Sequence, residues 1–362
     1  MKNLKKQKIV IIGGGIIGLT AAWHLSRQDQ EIIILDNKIK DNLSQSAPVN
    51  GSSASLGVLM GNIFTKSSGR GWRMRKRSLE IWPEWIKILN NYDPKLSIKK
   101  PLIKVAKSEA EKIIFERLLE RKKNNDLHLL ESEDIKKIFP DLSIKNYGGI
   151  VSSSDGRIDP ISLQTSLKQA LKNCKVKLIS HNIMNIKRNK SSDKYKWIIQ
   201  QDNEDIIEAD IVIICAAIET NALLHKIDYS IKMEPVLGQA LRIKVDNMMI
   251  NNWPGVLSVN NFNLIKVQKN ELIIGATLEA GLTPSKDEFE SMKTLDGIAP
   301  DWIRESEVLS QWSGLRAKPI GRPAPVLEEI EKGLIVASGH YRNGILLAPA
   351  TAEWIEETIK KE

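Results

Sequence analysis

Cysteine is nearly missing from this sequence: among 362 residues only Cys174 and Cys215 occur, far apart and outside any metal-ligand spacing. That excludes a disulfide framework and a zinc ribbon, and it fits a reducing, cytoplasmic compartment. The histidines His24, His128, His181, His225 and His340 are scattered and never spaced i and i+4, so no metal is expected. Also lacking is any run of about 18 apolar residues, the length a membrane-spanning helix needs. The start MKNLKKQKIVIIGGGIIGLTAAWHL imitates a targeting segment, but Gly13, Gly14 and Gly15 interrupt its apolar stretch. No fixed-period repeat and no low-complexity linker is present, so the domains of this chain are expected to interleave.

What is present suits a folded protein of two domains: 42% hydrophobic and 27% charged residues, with length enough for a sizeable core. A net charge of +9 is compatible with nucleic acid, anionic lipid or small acidic substrates and decides among none of them.

Hydrophobic periodicity predicts a strand over Lys8 to Ile12, a helix over Ile16 to Ser26 and a strand over Glu31 to Leu35. A Ser, Asn and Gly-rich loop then runs from Asp41 past Gly57. Helices are predicted over Trp72 to Asn91, broken near Pro83, over Ser108 to Lys123, and from a Ser132 cap to Phe139. Asp159 and Pro160 supply a cap and a first-turn proline for a helix over Ile161 to Lys172. Strands follow at Lys175 to Ile179, Tyr195 to Gln200 and, unbroken, Ile206 to Cys215. From Glu234 onward the runs Ala240 to Val245, Leu264 to Val267 and Leu272 to Thr277 indicate a sheet-rich second domain. The chain closes on a strand over Leu334 to Ala337 and a helix over Ile345 to Ile359, broken in its first turn by Pro349.

Gly13, Gly15 and Gly18 form G-x-G-x-x-G between the first strand and helix, with Asp36 ending the second strand. The first glycine allows the tight turn, the second lets a pyrophosphate reach the backbone, and the third lets the helix pack on the strand. The helix amides and dipole then face the anion. Asp36 accepts hydrogen bonds from a ribose and repels a 2′-phosphate, which disfavours NADP. The stretch from Ser52 to Gly57, small and hydroxyl-rich, suits chain running back along an extended cofactor, which favours FAD over NAD.

Beyond this opening, the sequence resembles the D-amino acid oxidase family of FAD enzymes, most closely its glycine oxidase branch, which serves thiamine biosynthesis. The resemblance covers nearly the whole chain and rests on IVIIGGGIIGL with Asp36, SSASLGVLMG, DGRIDP near Asp159, EPVLGQ near Gly238, IIGAT ending at Thr277, WSGLR ending at Arg316, and GHYRNGILLAPAT from Gly339 to Thr351. It implies an α/β fold: a Rossmann-like FAD-binding domain (1–85, 148–225 and 312–362) interleaved with a mixed, largely antiparallel substrate domain (86–147 and 226–311). It also implies that Arg316 binds a substrate carboxylate bidentately, with Arg342 at the same pocket. Besides Gly13, Gly15, Gly18 and Asp36, the implied cofactor contacts are Ile16, Ile17, Asn37, Ser52, Ser53, Leu56, Gly57, Val58 and Ile183. Those of the closing segment are His340, Tyr341, Arg342, Asn343, Gly344, Ile345 and Leu346. FAD is expected to be non-covalent, since neither cysteine lies near the closing motifs.

The implied reaction oxidises glycine or a related amino acid or amine, with no protein acid or base demanded because the cofactor carries the chemistry. The products are an oxo acid, ammonia and, with dioxygen as acceptor, hydrogen peroxide. Two alternatives stand beside it: a D-amino acid dehydrogenase or sarcosine-type demethylase using another acceptor, and a non-catalytic flavin-binding or RNA-associated protein. The family pattern is departed from at Ala217 and Asn263, where glycine and tyrosine are usual, at Ala317, which replaces proline, and at Gly321 and Glu328. Arg70, Arg73, Arg75, Lys76 and Arg77 read as a solvated helix face rather than an RNA grip. The expected partners are a small amino acid, dioxygen and further copies of the chain, with no nucleic acid and no membrane span.

Overall fold

A computed structural model describes residues 6–122, 126–142, 147–191 and 196–361. The β-branched segment Lys8–Ile12 lies inside a six-stranded sheet whose order is Val326–Glu331, Leu334–Ser338, Ile211–Ile214, Lys8–Ile12, Glu31–Leu35, Lys177–Ile179. All pairs are parallel except the edge pair made by Val326–Glu331. The runs IVII, IIIL and IVII are continuously apolar because both faces of a parallel sheet are covered. One face packs on the helices Ile16–Ser26, Gly69–Leu89, Pro160–Asn173 and Gly344–Lys360. The other packs on a three-stranded antiparallel sheet of Ile183–Arg188, Trp197–Gln201 and Ile206–Ala209.

The single strand predicted over Ile206 to Cys215 is therefore two, in different sheets. Asp210 makes the corner: its carboxylate accepts from Lys8 N (2.7 Å) and its own N–H donates to Lys8 O (2.9 Å). The isoleucine-rich runs on either side read as one strand, and Glu208 and Asp210 between them are the only sign of the break.

The second large sheet has nine strands. Its path is Glu279–Ala280, Met233–Lys244, Glu271–Gly275, Phe262–Gln268, Val256–Val259, Leu102–Val105, Gly149–Ser152, Leu127–Leu130, and Val308–Pro319 pairs with the free flank of Met233–Lys244. Among these strands only the Val256–Val259 and Leu102–Val105 pair is parallel, so the sheet is mixed and mainly antiparallel. Gly149–Ser152 and all of Val308–Pro319 belong to this sheet, although the sequence-based bounds put 148–152 and 312–319 with the other domain.

Both internal prolines are accommodated, contrary to the expected breaks: Gly69–Leu89 runs through Pro83 and Gly344–Lys360 runs through Pro349. Proline removes an N–H and so frees the carbonyl four residues earlier. For Pro349 that carbonyl is Ile345 O, and the Trp82 indole N–H donates to it (3.2 Å) and to Leu346 O (3.3 Å). Ala350 N–H donates to Ser78 Oγ (3.3 Å). One turn of the neighbouring helix thus repairs the other. The helix Ser132–Ile138 has Glu131, not Ser132, in the cap position, whereas Asp159 caps Pro160–Asn173 through Ile161 N and Ser162 N (3.0 Å each) as predicted. Lys123 and Tyr195, predicted element ends, lie outside the described residues. Among the described residues no helix is long and apolar enough to cross a membrane.

Candidate active site

The parallel strands end on one edge, and the glycine turn stands there beside the end of Ile211–Ile214. Gly13 has φ +112°, and a Cβ on it would fall 2.5 Å from Cys215 O; one on Gly18 would fall 1.9 Å from Gly13 O. Both glycines are demanded by backbone approach. The helix they open carries no acid in its first turn, so its N-terminal amides favour an anion. Asp36 is locked beside this turn, its carboxylate accepting from Gly14 N (2.7 Å) and Lys38 N (2.8 Å). Asn37 reaches the same corner, donating to Asn182 Oδ1 (2.8 Å), next to Ile183 at the start of its strand.

The hydroxyl-rich segment comes back to the turn: Ser52 Oγ accepts from Ile16 N (2.9 Å), and a Cβ on Gly15 would lie 3.3 Å from that oxygen. Here the loop expected from the sequence contains a short helix, Gly51–Ala54, closed by a reciprocal cap between Asn50 and Ser53. The Ser53 hydroxyl is spent in that cap, donating to Asn50 O (2.9 Å) and accepting from Asn50 N (3.2 Å). Leu56 O accepts from Arg157 Nε (2.9 Å), and Arg157 Nη2 pairs with Asp159 Oδ2 (2.7 Å). Burial of Arg157 draws its pKa down, opposed by Asp159. Arg157 holds the segment Leu56 to Val58 in place; only its position inside DGRIDP hints at this in sequence. Gly57 has φ +76°, and Val58 pairs with Arg157.

This segment is laid on the strand Val308–Pro319. A Cβ on Gly314 would meet Ala54 Cβ at 2.4 Å, one on Gly51 would meet Leu315 O at 2.6 Å, and Trp312 Nε1 donates to Ala54 O (2.9 Å). Alternation puts Trp312, Gly314 and Arg316 on one face. The Arg316 guanidinium lies over Gly238, where a Cβ would fall 2.2 Å from both terminal nitrogens. Nη1 donates to Leu237 O (3.0 Å) and Thr277 O (3.1 Å), leaving the other donors of the fork for a ligand. Burial lowers the pKa of this group most, the charge of Arg342 lowers it further, and Tyr341 and Glu279 oppose them. The strand that carries Arg316 packs against the turn Tyr341–Asn343, which carries the exposed Arg342.

Tyr341–Asn343 forms a turn after Leu334–Ser338, with Gly339 at φ +64° and Tyr341 at +55°, a conformation costly for a bulky residue. A Cβ on Gly344 would meet only Ile16 Cγ2, at 3.7 Å, so the closing helix begins where the opening helix begins. Ile345 and Leu346 are buried behind this point, their carbonyls holding Trp82. Two facing helix N-termini, glycines that admit no Cβ and an acceptor at Asp36 fit an extended dinucleotide such as FAD.

His340, predicted as a cofactor contact, has a buried ring bonded to Thr351 Oγ1 (2.9 Å), and burial with the charge of Arg70 pushes its pKa down to about 3. Unfolded, it titrates near 6.5. Between these values the unfolded chain binds the extra proton, so stability is whole above about pH 6.5 and falls as pH drops toward about 3. From pH 7 to pH 5 the expected loss is roughly 2 kcal/mol from this group alone. Urea titrations at the two pH values check it: His340→Gln should flatten the difference, and an unchanged slope would remove the assignment.

Of the departures, Ala217 has φ +49°, a left-handed conformation that explains why glycine is usual there. Asn263 stands opposite Gly275, in a cross-sheet row with Ala240 and Trp312, and its buried Oδ1 has no partner among the described residues. Glu328 pairs with Arg322 (2.7 Å). The basic helix face is solvated as expected, with Arg70, Arg73, Lys76 and Arg77 exposed; Arg70 donates to Pro325 O, half-buried Arg75 sits 3.9 Å above Phe64, and Arg77 pairs with Glu353 and Glu80.

Residues 8–358 match the family model described as DAO, FAD dependent oxidoreductase. The chain is 22% identical to a glycine oxidase of Bacillus licheniformis, over 98% of this chain and 93% of that one. It is 28% identical to a bifunctional protein ThiO/ThiG of Trichormus variabilis, over 98% of this chain and 53% of the relative. The crystal structure of glycine oxidase from Geobacillus kaustophilus superposes with a TM-score of 0.84 at 22% identity, covering 99% of this chain and 95% of that one, a likeness of fold.

Proposed function

Because the chain belongs to the DAO family of FAD-dependent oxidoreductases, we propose that it oxidises glycine or a small related amino acid. The observation that carries this reading is the Arg316 fork, held at one edge by two main-chain carbonyls with a second arginine beside it, on the strand that carries the cofactor segment. Positive charge at Arg316, reinforced by Arg342, favours an anion, and a planar fork suits a carboxylate bound through two parallel hydrogen bonds. Anchored there, an amino acid has its Cα fixed relative to the segment Ser52 to Val58 and to the turn Tyr341–Asn343. FAD, held non-covalently by the glycine turn, Asp36 and the segment from Ser52 to Val58, with the Ser53 and His340 side chains engaged within the protein, supplies the hydride acceptor.

Loss of hydride from Cα and of the amine proton leaves an imine, which water converts to glyoxylate and ammonia. Dioxygen then takes the electrons and becomes hydrogen peroxide. We place this in the cytoplasm as a supply step of thiamine biosynthesis, in line with the glycine oxidase and ThiO/ThiG relatives. The test is peroxide release by FAD-loaded protein from glycine, sarcosine and D-alanine, run beside reduction of an acceptor dye. Peroxide formed at least as fast as dye is reduced is the expected result. Dye reduction without peroxide would replace the oxidase by a dehydrogenase.

A further inference from the structure

We propose that Glu279 is the positioning residue of the substrate anchor, acting on Arg316 through Gln239 and Thr277; this rests on the reading of Arg316 as the carboxylate site. Glu279 is only 6% exposed, on the two-residue strand Glu279–Ala280, opposite Leu237. Three donors converge on its carboxylate: Gln239 Nε2 (3.0 Å) and the Thr277 hydroxyl on Oε1, and Ser285 N (2.7 Å) on Oε2. The hydroxyl of Thr277 also accepts from Gln239 N (2.7 Å), and Thr277 N donates to Gln239 O (3.2 Å). Gln239 is fixed further by Ser285 O (2.8 Å) and Gln311 Nε2 (3.0 Å).

The two carbonyls that hold Arg316 Nη1 belong to Leu237 and Thr277, which are the residue paired with Glu279 and the residue bonded to it. Glu279 therefore sets where the guanidinium lies and which of its edges is left for a ligand. Only an ionised carboxylate satisfies three donors on two acceptor atoms; a carboxamide of the same shape turns one of them into a donor facing a donor. The same negative charge acts on Arg316 against the like charge of Arg342, which is itself exposed.

The test uses FAD-loaded protein and glycolate, a carboxylate without the amine, with Kd read from the shift of the flavin absorption band. Glu279→Gln should weaken glycolate about tenfold, raise the KM for the amino acid by a similar factor, and leave kcat and the FAD Kd nearly unchanged. Thr277→Val should do the same, whereas Thr277→Ser, which keeps the hydroxyl, should match the parent. A lowered melting temperature with unaltered glycolate binding in Glu279→Gln and Thr277→Val would overturn the proposal and leave the network a merely structural one. Loss of the underlying reading shows separately, as glycolate binding that survives Arg316→Ala.

Discussion

Arg316→Ala is expected to lower kcat/KM for glycine by on the order of 10³-fold, the loss of two charge-assisted hydrogen bonds worth roughly 2 kcal/mol each. The parent side chain is already ordered: Nη1 rests on Leu237 O and Thr277 O, and Gly238 leaves the floor beneath it clear. Little ordering is left to do when substrate arrives, so truncation removes binding that is ready-made. Arg316→Lys should recover only part, because a point charge cannot reproduce the fork. FAD binding should survive in both variants, which separates the anchor from the cofactor seat. Steady-state kinetics with equilibrium dialysis of FAD measure the two effects; turnover undiminished in Arg316→Ala would remove the anchor from the account.

Gly18→Ala should abolish the cofactor seat. The added Cβ would lie 1.9 Å from Gly13 O, a main-chain atom that no rotamer change can move aside. The helix must lift from the strand or the turn must open, at about 3 kcal/mol or more. Either movement displaces the amides proposed to face the pyrophosphate, and FAD affinity should fall on the order of 10²-fold or beyond. Gly14→Ala is the milder comparison, because its Cβ would meet the Cδ1 tip of Ile39 at 2.4 Å, which can turn away, and the Asp36 side chain only at 3.1 and 3.2 Å. Fluorescence titration of apoprotein with FAD distinguishes them; equal affinity in the two variants would show that the close approach at Gly18 does not shape the seat.

The parts of the fold most legible in sequence are those where local chemistry and long-range contact agree. Lys8–Ile12, Ile16–Ser26 and Glu31–Leu35 lie at their predicted bounds, because two apolar β-branched runs, three glycines and a helix buried on nearly every side each admit one structure. The Asp159 cap is equally local. Val308–Pro319 is not legible as a strand: its residues include half-exposed Gln, Ser, Lys and Arg, and its order comes from pairing along Met233–Lys244. The helix break expected at Pro349 fails for a related reason, since the groups that repair it stand on a helix more than 260 residues earlier in the chain.

The site divides the same way. Arg316, Arg342 and the glycine turn carry motifs, so their roles can be expected from the amino-acid order alone. Arg157 and Glu279 act by holding other groups, and a holding residue has no signature until the group it holds is seen in place. Ser53 shows the converse: a hydroxyl that composition marks for a ligand closes a helix cap instead.

An amino acid on Arg316 is expected to meet FAD seated between the glycine turn and the closing helix. Anaerobic addition of glycine to FAD-loaded protein tests it most directly, with the visible flavin band as readout. The band should bleach, return on admission of air, and not bleach in Arg316→Ala. A protein that stays colourless after FAD is added and dialysed, or a yellow one that no amino acid bleaches, would contradict it.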